Sequence, residues 1–222
     1  MAKNIVILSD GTNQKGGVEY NTNVYKLFNM MEDRTADQIV YYDPGLGTNW
    51  KKTIGAITGW GFSRNILDCY RFLFENFEAD DRIYLFGFSR GAATVRSLSG
   101  LIHLFGILPH SRPDLIKEAF RIYKIRNKKR REKISKEFIS KHHTMWCKVK
   151  FLGVWDTVAA LGFPLKWVSA LLDNLVPHKF HSFELSESVE FARHALSIDD
   201  ERKTFHPTLW DPLKENNPPD RM

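Results

Sequence analysis

Four short apolar runs, 5–8, 39–42, 83–86 and 149–155, constrain this chain more than any other feature. Each is rich in β-branched or aromatic residues and closes in a polar or glycine-rich turn, which is how a buried strand reads. Between the runs, apolar residues recur at spacings of three and four. Val24, Leu27, Phe28 and Met31 do so, then Ile66, Cys69, Tyr70, Leu73, Phe74 and Phe77, then Val95, Leu98, Leu101 and Ile102. Strands that alternate with amphipathic helices bury both faces, so the pattern predicts an α/β fold, a mainly parallel sheet with helices on both faces. In such sheets the chemistry gathers beyond the carboxyl ends of the strands. The turns that matter are therefore Ser9-Asp10-Gly11-Thr12, Asp43-Pro44-Gly45-Leu46-Gly47-Thr48, Gly87-Phe88-Ser89-Arg90-Gly91 and Asp156-Thr157.

Two stretches interrupt the alternation. Residues 112–148 read as one or two charged helices inserted between the third and fourth strands. Residues 163–175 are apolar without strand character and read as a cap helix opened after Pro164. Helical spacing returns over 185–198 through Val189, Ala192 and Leu196, which predicts a helix there. No internal repeat or low-complexity tract is present in the 222 residues. The expectation is one domain over 1–222, with cap-like insertions near 112–148 and 163–180.

Composition removes several function classes. The two cysteines, Cys69 and Cys147, are far apart and make no Cys/His ligand spacing, so neither a disulfide framework nor a metal site is expected, and no cofactor motif is present. The run at 5–8 is too short for a secretory segment, and no stretch approaches the roughly 18 apolar residues of a membrane span. These features predict a soluble protein made in the cytoplasm without a signal peptide. The formal net charge of +6 is concentrated between Arg121 and Lys141, where ten bases face only Glu132 and Glu137. Such a run suits an anionic surface, and a solvated helix face is its plainer alternative. Without interleaved aromatic residues it does not read as a nucleic-acid site, and no nucleic-acid partner is expected.

Gly87-Phe88-Ser89-Arg90-Gly91-Ala92 carries the strongest chemical signal. A G-x-S-x-G that follows an apolar strand and opens a helix holds its serine on a strained turn, where side chains two positions either side would collide. Ser89 is thus the candidate nucleophile. A serine hydroxyl needs a base to take its proton and an acid to orient that base. Asp156 closes the fourth strand at the same sheet edge and fits the acid, with a helix N-cap as its structural alternative. Backbone N–H groups of Arg90 and of the loop at Gly11 and Thr12 would form an oxyanion hole, although that loop also reads as a plain Asx turn. The histidines after Asp156 are His178, His181, His194 and His206, and none follows an obvious strand. His194, at a helical position beside small residues, reads as structural.

Taken together, Asp10-Gly11-Thr12, the stretch from Tyr42 to Thr48, the hexapeptide around Ser89, Gly153-Val154-Trp155-Asp156-Thr157 and the stretch from His194 to Arg202 resemble domain of unknown function 2235. This is the catalytic domain of type VI secretion phospholipase effectors of the Tle1 class, and the resemblance covers essentially the whole chain. It implies an α/β-hydrolase fold and a Ser-Asp-His triad that hydrolyses carboxylic esters of phospholipids, with Ser89 as nucleophile and Asp156 as acid. It also implies a phospholipid substrate and export through a type VI system. The basic insertion at 112–148 and the apolar segment at 163–175, with Trp167, predict peripheral contact with an anionic membrane surface. Family members continue past a segment like Thr208-Leu209-Trp210 into a further strand with a Gly-rich, His-containing end. The sequence reaches Met222 before such a stretch, so the resemblance places the triad histidine and the C-terminal strand beyond it. A catalytically inactive hydrolase fold used for binding is the alternative function.

Overall fold

The computed structural model describes residues 2–11, 17, 20–45, 60–157, 185–199 and 208–210. Its centre is a five-stranded, wholly parallel sheet. The strands are β1 (Asn4–Ser9), β2 (Gln38–Asp43), β3 (Arg82–Phe88), β4 (Val149–Trp155) and β5 (Val189–Ala195), in the order β2-β1-β3-β4-β5. The helices are α1 (Asn23–Met30), α2 (Trp60–Asn76), α3 (Arg90–Phe105), α4 (Leu115–Tyr123) and α5 (Lys128–His142). This is the α/β architecture the alternation predicts, and all four expected strands form.

Side-chain alternation in β1 divides the core. Ile5 and Ile7 join Leu73, Leu98 and Leu101 on the face covered by α2 and α3, while Val6 and Leu8 join Val24 and Val40 on the face covered by α1. The insertion at 112–148 forms α4 and α5, which pack outside α3 through Phe120, Tyr123 and Phe138. The apolar segment at 163–175 lies outside the described residues.

The helix expected over 185–198 is a strand. β4 carries one residue more than β3, because Ile83 pairs with Val149 and Tyr84 with Phe151. β5 follows β4 through the same irregularity, Val149 against Val189 and Leu152 against Ala192. Val189 and Ala192 are therefore both buried although three residues apart. That spacing imitates a helical face, and the hydrogen-bonding edge of β4 decides in favour of a strand.

At the amino end of the sheet, Asp81 ties β1 to β3. Its carboxylate accepts from the Lys3 ammonium at 2.6 Å, the Lys3 backbone N–H at 2.8 Å and the Glu78 N–H at 2.9 Å. Burial alone would raise this carboxyl, but these donors hold it below its ordinary value. A carboxyl depressed in the native state stabilises the fold above its unfolded pKa, near 4, and loses that contribution as pH falls through the native value. Asp81→Asn is expected to destabilise the chain at pH 7 by about 1.5–3 kcal/mol, the range for hydrogen bonds to charged groups. Urea denaturation across a pH series should show the gap to the parent chain closing progressively as pH falls below about 4.

Candidate active site at the carboxyl edge of the sheet

The chain passes from β1 outward to β2 and returns across β1 to β3, so the order of strands reverses between β1 and β3. Ligands of open parallel sheets bind at such a reversal. Ser89 stands directly beside it, between β3 and α3, at φ 55° and ψ −115°. Positive φ is rare outside glycine and costs about 1–3 kcal/mol where the surroundings enforce it. The surroundings here are explicit. A Cβ on Gly87 would meet the Gly91 carbonyl oxygen at 2.6 Å, and one on Gly91 would meet the Asp10 carbonyl oxygen at 2.6 Å, with Ser9 closer still. Only glycines at both positions let α3 begin against the end of β1.

Two consequences follow for Ser89. Its backbone N–H donates to the Trp155 carbonyl at 2.9 Å, which fixes the elbow to the last residue of β4. Its side chain makes no capping bond to α3. Among the described residues the hydroxyl has no hydrogen-bond partner, and it stands at the head of a 16-residue helix, where the first amides lack intrahelical partners. Arg90 contributes the first of those amides.

Asp156 follows Trp155, whose strand partner is Phe88, so Ser89 and Asp156 leave neighbouring strands side by side. Asp156 also has positive φ, 40°. Its carboxylate accepts from the Ser197 N–H at 2.6 Å, across the carboxyl end of β5. It caps no described helix.

His194 lies on β5, opposite Val154. Its Nε2 accepts from the Thr157 backbone N–H at 3.3 Å, which assigns the ring proton to Nδ1, a buried atom without a partner. The ring is packed edge-on against Trp210, 5.4 Å between centroids. Trp210 in turn lies under the guanidinium of Arg96, which donates to the Thr208 and Leu209 carbonyls at 2.5 and 3.4 Å. Among the described residues no histidine bonds to Ser89 or Asp156. His178, His181 and His206 lie outside the described residues.

The loop after β1 is organised by Asp10. One carboxylate oxygen accepts from the Gly11 N–H at 2.7 Å, and the other from Thr22 Oγ1 at 2.6 Å and the Tyr42 hydroxyl at 2.9 Å. The Gly11 N–H expected to face substrate is therefore engaged within its own loop. Thr12 lies outside the described residues. Burial, then the bond to Asp10, push the Tyr42 phenol well above its ordinary value. A second buried acid, Asp43, accepts from Ser9 Oγ, Asn65 Nδ2 and the Gly45 N–H, and burial raises its pKa against the pull of those donors. Sequence spacing carries no signal for Thr22, Asn65, Arg96 or Trp210, because each acts through a partner distant in the chain. Gly45 was visible as part of a glycine-rich turn. Among the described residues no cluster of three metal-ligating side chains occurs, and no helix is long and apolar enough to cross a membrane.

The model of the family described as "T6SS, Phospholipase effector Tle1-like, catalytic domain" matches residues 3–221. An uncharacterized protein of Saccharomyces cerevisiae (strain ATCC 204508 / S288c) is 29% identical over 238 residues, covering 95% of this chain and 33% of that protein. The chain therefore spans about a third of the length of that curated relative. No solved structure matches it.

Burial, reinforced by Arg96 and opposed by Asp156, lowers the His194 pKa. The native state then binds this proton less tightly than the unfolded chain, so stability falls as pH drops through about 6.5 toward the lower native value. His194→Gln is expected to remove that part of the slope between pH 7 and 5. Thermal unfolding of the two chains at matched pH values measures it, and an unchanged slope would contradict the neutral, acceptor role of this ring.

Proposed function

Because the chain belongs to the family of type VI secretion Tle1-like phospholipase effector catalytic domains, we propose that it is the nucleophile-bearing region of a serine hydrolase that cleaves carboxylic esters of phospholipids. One observation carries the reading. Ser89 sits at φ 55° on a glycine-flanked strand–helix elbow, with a hydroxyl that has no partner among the described residues and with Asp156 leaving the adjacent strand.

In this reading Ser89 Oγ attacks the ester carbonyl while a histidine accepts its proton, and Asp156 orients that histidine. The Arg90 N–H at the start of α3 and the Thr12 N–H stabilise the developing oxyanion, and Gly11 allows the close approach of the loop. The protonated histidine then returns its proton to the departing alcohol, a lysophospholipid. Water releases the fatty acid from Ser89 by the same sequence in reverse. The site uses backbone amides for charge and needs no cofactor.

His194 is poorly suited to the base, since its Nε2 already accepts from Thr157. The same observation favours a second reading, a hydrolase fold retained for binding without catalysis. The described surface also bears on membrane contact. The basic helix α5 packs through Phe138 against Phe105, the last residue of α3, whereas Ser89 precedes its first. α5 therefore packs toward the end of α3 opposite Ser89, which supports placing a substrate-delivering membrane contact at the Ser89 edge. Export through a type VI system is the setting that the family's description supplies, and the yeast relative extends the sequence pattern to a fungus.

Fluorophosphonate labelling tests nucleophile and base together. The parent chain should be labelled at Ser89, Ser89→Ala should not, and one of His178→Gln, His181→Gln or His206→Gln should suppress labelling if the base lies within these residues. In a chain that turns over short-chain phospholipid, Ser89→Ala should lower kcat by about 10⁴-fold or more, and Asp156→Asn by about 10⁴-fold. An unreactive Ser89 in a folded chain would favour the binding reading.

A further inference from the structure

We infer that Arg90 forms a subsite for the phosphodiester of the substrate, in the depression where the strand order reverses. The inference rests on the phospholipid-hydrolase reading and deepens it. Arg90 lines this depression with Asp10, Gly45, Phe62, Asn65, Gly91 and Thr94. Its side chain is partly buried and makes no hydrogen bond or ion pair among the described residues. The other arginines drawn into the interior each reach a carbonyl, Arg96 those of Thr208 and Leu209, and Arg131, through one of its nitrogens, that of Ile125. Burial is the one cause acting on the Arg90 guanidinium, and it lowers the pKa. A cation that has lost water without gaining a partner is poised for an anion.

The nearby acids do not supply that anion. Asp10 takes three hydrogen bonds from Gly11, Thr22 and Tyr42, and Asp43 takes three from Ser9, Gly45 and Asn65. Neutral donors satisfy both carboxylates, and neither pairs with the Arg90 guanidinium. Its planar fork matches two oxygens of one phosphate. Asp10 lines the same depression, so a second negative charge on the ligand would stand against it. A phosphodiester, with one charge, suits the site better than a phosphate dianion. In a phospholipid the phosphodiester is joined to the scissile ester by a few bonds of glycerol, and Arg90 is joined to Ser89 by one peptide bond.

Binding to the Ser89→Ala chain, which cannot turn the lipid over, tests this by calorimetry. The probes are monomeric dihexanoylphosphatidylcholine, dihexanoylglycerol, which lacks the phosphate, and inorganic phosphate. The phosphatidylcholine is expected to bind about 10- to 100-fold tighter than the diacylglycerol, as charge-assisted hydrogen bonds imply. Adding Arg90→Met should erase that difference, and Arg90→Lys should keep only part of it. Circular dichroism and thermal unfolding establish that each variant is folded, and Arg90→Lys carries the test if Arg90→Met is not. A preference for phosphatidylcholine that survives the loss of Arg90 would overturn the inference, as would inorganic phosphate binding as tightly as the lipid. Labelling of Ser89 in the parent chain reports the hydrolase reading separately. A phosphodiester preference without labelling removes that reading alone, and labelling without the preference removes this one alone.

Discussion

The first turn of α3 meets the end of β1 so closely that no side chain fits between them, and the rest of the carboxyl edge depends on that approach. A Cβ at Gly91 would run into the carbonyls of Ser9 and Asp10, and one at Gly87 into the Gly91 carbonyl at 2.6 Å. With both absent, the chain turns from β3 into α3 within one residue, and Ser89 takes the positive φ that the turn demands. The strain is held by the sheet. Ser89 is bonded through its N–H to Trp155 on β4, and β3 is paired along its length with β1 and β4. Fixing the elbow also brings Arg90 and Asp10 to the rim of one depression at the start of α3. The strained serine, the first amide of α3 and a cation without a partner among the described residues are three results of one packing constraint.

Much of this was legible because it is local. The four strands end in their own turns, the helices between them keep a 3.6-residue period, and the serine motif states its own backbone geometry. The fold fails to follow from the sequence where pairing overrides local pattern. Residues 185–198 read as a helix because Val189 and Ala192 are three apart, yet the extra residue shared by β4 and β5 creates that spacing in a strand. The site fails to follow where partners are distant. Arg96 and Thr208 are 112 residues apart, and nothing in either neighbourhood announces the other. The Gly11 amide illustrates a subtler limit. The sequence places a permissive residue in the right loop, but Asp10 takes its N–H.

Charge is distributed differently at the two ends of the sheet. At the amino end Asp81 meets Lys3, and the pair joins β1 to β3 at 2.6 Å with side chains almost wholly buried. At the carboxyl end Asp10 and Asp43 are equally buried, yet hydroxyls, an amide and backbone N–H groups satisfy them. An ion pair between Arg90 and either acid would have been the simpler way to hold this edge together. Its absence among the described residues leaves positive charge available next to Ser89, which a structural role alone does not require.

The basic helix does not replace that charge. α3 runs 16 residues from Arg90 to Phe105, a length of about 24 Å, and α5 packs on its far end. Trp146, 62% exposed and covered by the Lys148 ammonium, precedes β4 at the same end. Screening at physiological salt acts over about 8 Å, so the exposed bases of α5 exert little field at Ser89. They can draw the protein toward anionic surfaces in bulk, but they cannot select or orient a group at the elbow. Attraction of an anion there has to be local, and among the described residues that line the depression next to the Ser89 elbow, Arg90 alone carries positive charge.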